Sequence, residues 1–115
     1  MENSKFTLKQ IQDFFDPQQN FGIDDTNIPM FYMFHFYADT KEKLISVIPE
    51  FENSGFKCSE IKTCNTAPLT WKMDIEKEAT HNVDSFYSEV NSWIAFAGEK
   101  GIEFSGYSRG GQSHI

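Results

Sequence analysis

The residues most able to carry acid–base or metal chemistry are three histidines, and their positions argue against such a role. His35 lies inside an aromatic run, where a core or edge histidine with a satisfied hydrogen bond is more common than a catalytic one. His81 lies near Glu78 and Asp84, but a metal site needs more ligands than one loop supplies. His114 lies close to the last residue and gives no signal. We therefore predict no catalytic residue and no metal site.

The two cysteines, Cys58 and Cys64, have the even spacing that places side chains on one face of a strand. At about 3.3 Å per residue they would lie about 20 Å apart. A disulfide cannot span that distance unless the chain turns between them. One pair at this spacing also says little for a metal, so both are interpreted as ordinary thiols of a cytoplasmic protein.

Carboxylates are numerous, but no two are placed as a catalytic pair, which requires close approach in a cleft and one raised pKa. Asp74 and Glu76 alternate with apolar residues and are predicted on the solvent face of a strand. The chain also has no Gly-rich phosphate loop, nucleophile elbow, zinc motif or His-Glu-x-x-His sequence. The sequence therefore predicts a protein that is not an enzyme and binds no cofactor.

The balance of charges narrows the class of partner. The chain has 115 residues, enough for one domain, and a net charge of −7 from 17 acidic and 10 basic residues. A duplex-binding protein needs a basic stripe, and an anionic membrane surface repels an acidic chain, so neither partner is expected. No signal peptide or membrane-spanning run is visible, which favours the cytoplasm. An acidic domain of this kind suits a protein partner that is basic or mixed in charge.

Residues 1–29 are predicted to form an N-terminal helix and a linker. Thr7 is a good N-cap, Gln10 completes a capping box, and Phe6 can pack on Ile11 across the first turn. The polar stretch from residue 18 to residue 29 is typical of a linker.

The strongest strand signal is MFYMFHFY, residues 30–37, which is apolar on both faces. Such a strand is expected at the centre of a sheet and covered on both sides, with the N-terminal helix covering the second face. Phe31, Met33, His35 and Tyr37 could instead form a base-stacking platform for RNA. The acidic charge and the missing basic, Gly-containing strand motif disfavour that alternative.

The next segment is predicted to be a helix that begins with Asp39 as its cap and Glu42 in the capping box. Gly55 is placed to end this helix, and Pro49 should kink or divide it. Its predicted apolar stripe comprises Leu44, Ile45, Ile48 and Phe51.

Two strands, 56–64 and 69–76, should follow as an antiparallel hairpin with a turn near residues 65–68. A helix over 83–100, closed by Gly101, and a last strand over 102–108 complete the chain. After the first helix, the order is strand, helix, strand, strand, helix, strand. This order predicts an α+β, ferredoxin-like β-α-β-β-α-β domain over 30–110, with a four-stranded antiparallel sheet, two helices on one face and a mobile tail at 111–115.

Two blocks of this pattern resemble the RraB family, the regulators of ribonuclease E activity. They are FYADTKEKLISVIPEFENSGFKCSE (36–60) and WKMDIEKEATHNVDSFYSEVNSWIAFAGEKGIEFSGYSRG (71–110). The resemblance covers roughly residues 30–110. It implies a bacterial, non-enzymatic inhibitor that binds ribonuclease E and modulates RNA decay. Phe104-Ser105-Gly106-Tyr107 stands where the family tends to have Tyr-Asp-Gly-Trp, and the acidic tail of the enterobacterial member is missing.

The last strand supplies the candidate partner contacts. Phe104, Gly106, Tyr107 and Arg109 keep the family's aromatic and glycine positions or belong to types enriched at binding hot spots. Packing, and for Gly106 a bulge, are the competing interpretations. A small immunity or antitoxin-like protein remains an alternative function, and the expected state is a monomer or a weak homodimer.

Overall fold

A computed structural model describes residues 6–16, 28–64 and 70–109. Over these residues the chain is a mixed α+β fold with three helices and an antiparallel sheet, as the sequence predicts for the class. The helices are α1 (Leu8–Phe14), α2 (Lys41–Asn53) and α3 (Val83–Lys100). The strands are β1 (Pro29–Ala38), β2 (Lys57–Cys58), β3 (Lys62–Thr63), β4 (Trp71–Thr80) and β5 (Glu103–Arg109). The predicted hairpin turn (65–68), the predicted tail (111–115) and most of the predicted linker (18–29) lie outside the described residues.

The sheet has the order β2-β4-β1-β5, with β3 also paired to β4. Strand β1 is therefore central, and both strands predicted after α2 pair antiparallel as expected. The predicted count of four strands is wrong, because the segment expected as one strand over 56–64 is two short strands. The backbone N–H of Ser59 donates to the carbonyl of Asp74, and the Ser59 hydroxyl accepts from the Asp74 N–H, which replaces regular pairing between β2 and β3.

Every second residue of β1 enters the hydrophobic core. Tyr32, Phe34 and Phe36 are at most 1% exposed and meet the rings of α2 and α3, as in the Phe34–Phe86 and Phe36–Phe51 contacts. Strand β4 adds Met73 and Ile75 from the same side of the sheet. Removing apolar surface from water stabilises the folded state by about 25 cal/mol per Å², so burial of these aromatic rings stabilises the fold.

The helix ends follow cap chemistry, with one correction. The capping box of Thr7 and Gln10 forms in α1, and Gly101 ends α3 with φ at +73°. In α2, however, the cap is Thr40, whose hydroxyl accepts the N–H of Lys43, while Asp39 pairs with the Lys43 ammonium group at 3.0 Å. A hydroxyl one residue later satisfies the free N–H of the first turn equally well, which leaves Asp39 for the ion pair.

Pro49 is predicted to kink or divide α2; it lies inside one continuous helix, so the predicted division is wrong, and the kink stays a prediction. Proline removes the hydrogen bond to the carbonyl four residues earlier, that of Ile45. Both Pro49 and Ile45 are on the exposed side of α2, where water can satisfy that carbonyl. Because Ile45 is on the exposed side of α2, with 48% of its surface exposed, it is not part of the buried apolar stripe that the sequence predicts. Val47 is buried instead, beside Leu44 and Phe51.

Helix α1 does not cover the second face of the sheet, contrary to the sequence-based expectation. Phe15 packs on Tyr32 and Phe14 stacks on Phe86, so α1 joins α2 and α3 on the same face. Phe6 meets Phe104 from that side as well. The aromatic side chains of Phe6 and Phe14 pack against α3 and β5. The opposite face of the sheet carries charged β4 side chains and offers these rings less apolar surface.

Candidate protein-binding surface

The face of the sheet opposite the helices carries a row of apolar and polar residues from β1. Phe31, Met33, His35 and Tyr37 point to this side, since they alternate with the buried residues of the same strand. All four are half-buried, and none belongs to the hydrophobic core cluster. No helix of the described chain segments packs on them. We call the side of the sheet that carries these four residues the open face.

At the centre of the open face, His35 is held by two neighbouring strands. Its Nδ1 lies 2.7 Å from Oδ1 of Asp74 on β4, and its Nε2 lies 3.2 Å from Oγ of Ser108 on β5. The hydrogen bond from His35 lowers the pKa of Asp74 below its ordinary value, although partial burial acts in the opposite direction. Asp74 is therefore an ionised acceptor, and Nδ1 carries the proton that His35 donates. His35 therefore links β1 to β4 and β5, and the prediction that its hydrogen bonding is satisfied within the fold is confirmed.

Strand β4 places carboxylates beside the apolar row. In the register of the sheet, Glu78 is opposite Phe31 and Glu76 is opposite Met33. Lys72 is opposite Tyr37, so the row of charged β4 residues becomes basic towards the Tyr37 end of β1. These outward β4 residues confirm the predicted polar face of the strand. A helix without basic residues to pair with the carboxylates would cover this face at a high cost, because the charged groups would lose their hydration without compensation.

Three of the four candidate partner residues are used inside the molecule. Phe104 is 2% exposed, so its side chain belongs to the core. Tyr107 contacts the rings of Phe14 and Phe86 at 4.9 and 5.2 Å, and burial raises the pKa of its hydroxyl. The guanidinium of Arg109 lies 3.9 Å from the ring centre of Phe14 and donates to the carbonyl of that residue at 2.7 Å. Tyr107 and Arg109 thus fasten α1 to the sheet; a partner contact at their remaining surface stays a prediction.

Gly106 is the fourth candidate and lies on the open face, opposite His35. The register of β1 and β5 shifts between His35 and Phe36, which confirms an irregularity of the bulge type at this point. A Cβ atom at Gly106 would meet no heavy atom of the described residues within 4 Å, so close packing among these residues does not require the glycine. There is therefore open space on the open face beside His35.

A second cluster surrounds His81 on the helix side. Its Nε2 lies 3.0 Å from Oε1 of Glu89, and Trp93 Nε1 donates to Oε2 of the same carboxylate at 3.0 Å. Burial alone would raise the pKa of Glu89, but the hydrogen bonds from His81 and Trp93 outweigh it and hold that pKa below its ordinary value. The hydroxyl of Ser85, 3.0 Å from His81 Nδ1, accepts the N–H of Asn82 in the capping box of α3.

His81 and Glu89 also line a cavity of about 140 Å³. Glu89 is the single carboxylate among the described residues that line it, and both of its oxygens are engaged. The nearby hydroxyl of Ser85 is exposed and does not line the cavity. The arrangement joins the first turns of α3 to the end of β4, and we assign it a structural role.

The remaining reactive groups are dispersed. Neither Cys58 nor Cys64 is in a disulfide within the described residues, and burial raises the pKa of Cys58. Within residues 6–16, 28–64 and 70–109, no three His, Cys, Asp or Glu side chains are grouped so that they could hold a metal ion. No helix in the same ranges has the length and apolar character needed to cross a membrane.

Comparison with known families decides how the fold is classified. The model of the family described as RraB, regulator of ribonuclease activity B, matches residues 9–108. The chain belongs to the RraB family. The match begins within α1, includes β1 to β4 in full and ends one residue before β5 does. A comparison with curated proteins gave no match.

Membership of the RraB family makes the open face a candidate binding surface. The family is one of regulators of ribonuclease activity, and a regulator acts through contact with another molecule. Of the surfaces described, the open face combines apolar side chains and partial exposure on a central strand. The sequence contained its signal, the two-sided apolar pattern of residues 30–37, but the pattern alone does not say whether the second face meets a helix of the same chain or another molecule.

Proposed function

We propose that this chain is a non-enzymatic regulator that binds a ribonuclease and thereby modulates RNA decay, with ribonuclease E as the partner and the bacterial cytoplasm as the setting. The observation that carries the proposal is the open face on an RraB-family fold. Phe31, Met33 and Tyr37 are apolar, half-exposed and outside the core cluster. Aromatic and methionine side chains of this kind are enriched in protein interfaces.

The distribution of polar groups supports binding rather than catalysis. The two histidines of the described ranges each hold a carboxylate in a structural hydrogen bond. A general base needs an oxygen or nitrogen that can accept a proton from substrate. Glu89, however, is held by His81 and Trp93, and Asp74 is held by His35. The proposed regulator therefore acts by occupying a surface of the ribonuclease.

The proposal is tested with purified ribonuclease E and a fluorescent single-stranded RNA substrate. Adding the chain should slow cleavage in a saturable manner, and the two proteins should co-migrate in size-exclusion chromatography. The double variant Phe31→Ala, Tyr37→Ala should lose the effect, while Ile45→Ala, at an exposed apolar residue of α2, should retain it. Unchanged cleavage at a large excess of the chain, without a complex, contradicts the proposal.

RNA binding is a second candidate because the open face presents aromatic residues on a central strand, as some RNA-binding sheets do. The carboxylates of Asp74, Glu76 and Glu78 lie directly beside them and repel phosphate groups. The net charge of −7 acts in the same direction. Anisotropy of labelled RNA without ribonuclease separates the candidates: binding that Phe31→Ala abolishes supports this second function.

A further inference from the structure

We propose that the open face binds a basic amphipathic helix of a partner protein, about 14 residues long, with its apolar stripe on β1 and its basic residues on β4. This inference rests on the proposed function only in taking the partner to be a protein. It adds the secondary structure, the length and the charge pattern of the segment that is bound.

The apolar row fixes the length of the bound segment. Phe31 and Tyr37 are six residues apart on β1, which corresponds to about 20 Å along a strand. An α-helix rises about 1.5 Å per residue, so about 14 residues cover the same distance. Apolar side chains at every third or fourth position of such a helix are about 5 to 6 Å apart and can follow residues 31, 33, 35 and 37, which are spaced about 7 Å apart.

The carboxylates fix the charge of the segment. Glu76 and Glu78 are two residues apart on β4, so their attachment points are about 7 Å apart on the same side. Basic residues four positions apart on a helix are separated by about 6 Å along the axis. A helix aligned with β1 can therefore place one Lys or Arg near each carboxylate while its apolar stripe remains on Phe31 and Met33.

The other charged groups on this side set the orientation of the helix. Lys57 of β2 is opposite Glu76 on its outer side. Past Asp74 along β4, Lys72 is opposite Lys62 of β3 in the strand register. Glu103 of β5 is opposite Tyr37 of β1. Among the described residues, the end of the face beside Phe31 and Met33 carries Glu76, Glu78 and Lys57 and is therefore acidic by one charge. The end beside Tyr37 carries Lys62, Lys72 and Glu103 and is basic by one charge. The basic residues of the bound helix belong at the acidic end.

A second copy of this chain is a poorer occupant than a basic helix. Each copy carries a net charge of −7, so face-to-face association brings two acidic bodies together. Strands β4, β1 and β5 also offer an area of only about 500 Å², from about 34 Å of strand length and about 14 Å of width. A standard interface uses about 800 Å² per partner, so the open face suits a single helix better than a folded domain.

Two labelled 18-residue peptides test the inference without any ribonuclease. Both carry the same Leu stripe; one has Lys at positions four apart beside it, and the other has Glu at those positions. Anisotropy should show micromolar binding of the Lys peptide, binding at least tenfold weaker for the Glu peptide, and loss of at least tenfold in affinity at high salt. Equal affinities for the two peptides overturn the proposal.

Variants of the full chain locate the binding. The charge reversal Glu76→Lys, Glu78→Lys and the truncation Phe31→Ala should each weaken the Lys peptide at least tenfold. The matched controls Glu99→Lys on α3 and Ile45→Ala on α2 are exposed on the helix side and should leave affinity unchanged. Circular dichroism confirms that each variant is folded. Reversed results, with loss only in the controls, overturn the proposal.

The remaining outcomes distinguish this inference from the proposed function. Peptide binding at the open face without inhibition of ribonuclease E supports the inference and contradicts the proposed partner. Inhibition that survives Phe31→Ala and Glu76→Lys supports the partner and overturns the inference. Sedimentation that shows a dimer dissociated by Phe31→Ala, or labelled RNA that competes with the Lys peptide, assigns the face to a second copy or to RNA and overturns it as well.

Discussion

The two faces of β1 are built from neighbouring residues, yet they do different work. Tyr32, Phe34 and Phe36 are almost fully buried under α1, α2 and α3, while Phe31 and Tyr37 on the other side are half-exposed. Both faces are aromatic, so hydrophobicity alone does not distinguish them. The difference lies in their neighbours: β4 supplies Met73 and Ile75 to one face, and charged side chains to the other. A strand that is apolar on both sides can therefore serve stability on one side and binding on the other.

The largest expected effect separates the two faces by stability. Phe34→Ala removes a ring that meets Phe56, Phe86, Trp93 and Phe104, and should lower the free energy of unfolding by about 3–5 kcal/mol. Urea denaturation followed by tryptophan fluorescence measures the change.

Phe31→Ala is the matched control on the open face, three residues away in the same strand. Its ring lies outside the core cluster, so the loss should be below about 1.5 kcal/mol. Similar losses for Phe31→Ala and Phe34→Ala would contradict the division between the two faces.

A smaller effect is expected at the attachment of α1 to the helix-covered face. Arg109→Ala removes the cation–π contact with Phe14 and the hydrogen bond to its carbonyl, and should cost about 1–2 kcal/mol. Amide hydrogen exchange should accelerate mainly in α1, while β1 keeps its protection.

Arg109→Lys sharpens the test, because lysine keeps the charge but not the planar guanidinium that stacks on the ring. It should recover only part of the lost stability. Uniform acceleration of exchange throughout the sheet would show that Arg109 supports the whole fold rather than α1.

The smallest effect concerns the two histidine–carboxylate pairs, His81–Glu89 on the helix side of the sheet and His35–Asp74 on the open face. The pKa values of Glu89 and Asp74 are both lowered in the folded state. Their stabilising contributions are therefore present above the ordinary carboxyl pKa values and are lost as the pH falls through the lowered ones. The difference in free energy of unfolding between the natural chain and Glu89→Gln should shrink from pH 6 to pH 3.

Asp74→Asn gives the same comparison for the open face. The change should be weaker, because Asp74 is the more exposed carboxylate and His35 is its single side-chain donor among the bonds described above, whereas Glu89 has two. Urea denaturation at four pH values measures both. An equal or larger pH response of Asp74→Asn would contradict the assignment of stability to the helix side.

Features set by nearby residues were predictable from the sequence. The capping box at Thr7 and Gln10, the end of α3 at Gly101 and the central position of β1 all follow from local chemistry or from composition. The polar row of β4 also followed from alternation. The location of α1 did not, because it depends on contacts with Phe86 and Tyr107, which are distant in the chain.

One error could have been avoided by combining two correct observations. The row of carboxylates predicted on the outside of β4 conflicts with a helix covering the same side of β1, since neighbouring strands share one face. The open face follows from that conflict. The partner contacts predicted from the sequence on β5 stay a prediction; within the chain, Phe104 is buried in the core and Arg109 packs on Phe14.

The central claim is that one face of β1 stabilises the protein and the other binds the partner. Methyl NMR tests it directly, because Met33 lies on the open face, Met73 in the core and Ile45 on the outside of α2. On titration with ribonuclease E, the Met33 methyl signal should shift or broaden first, while the Ile45 signal stays unchanged. A response at Ile45 with Met33 unaffected would contradict the account.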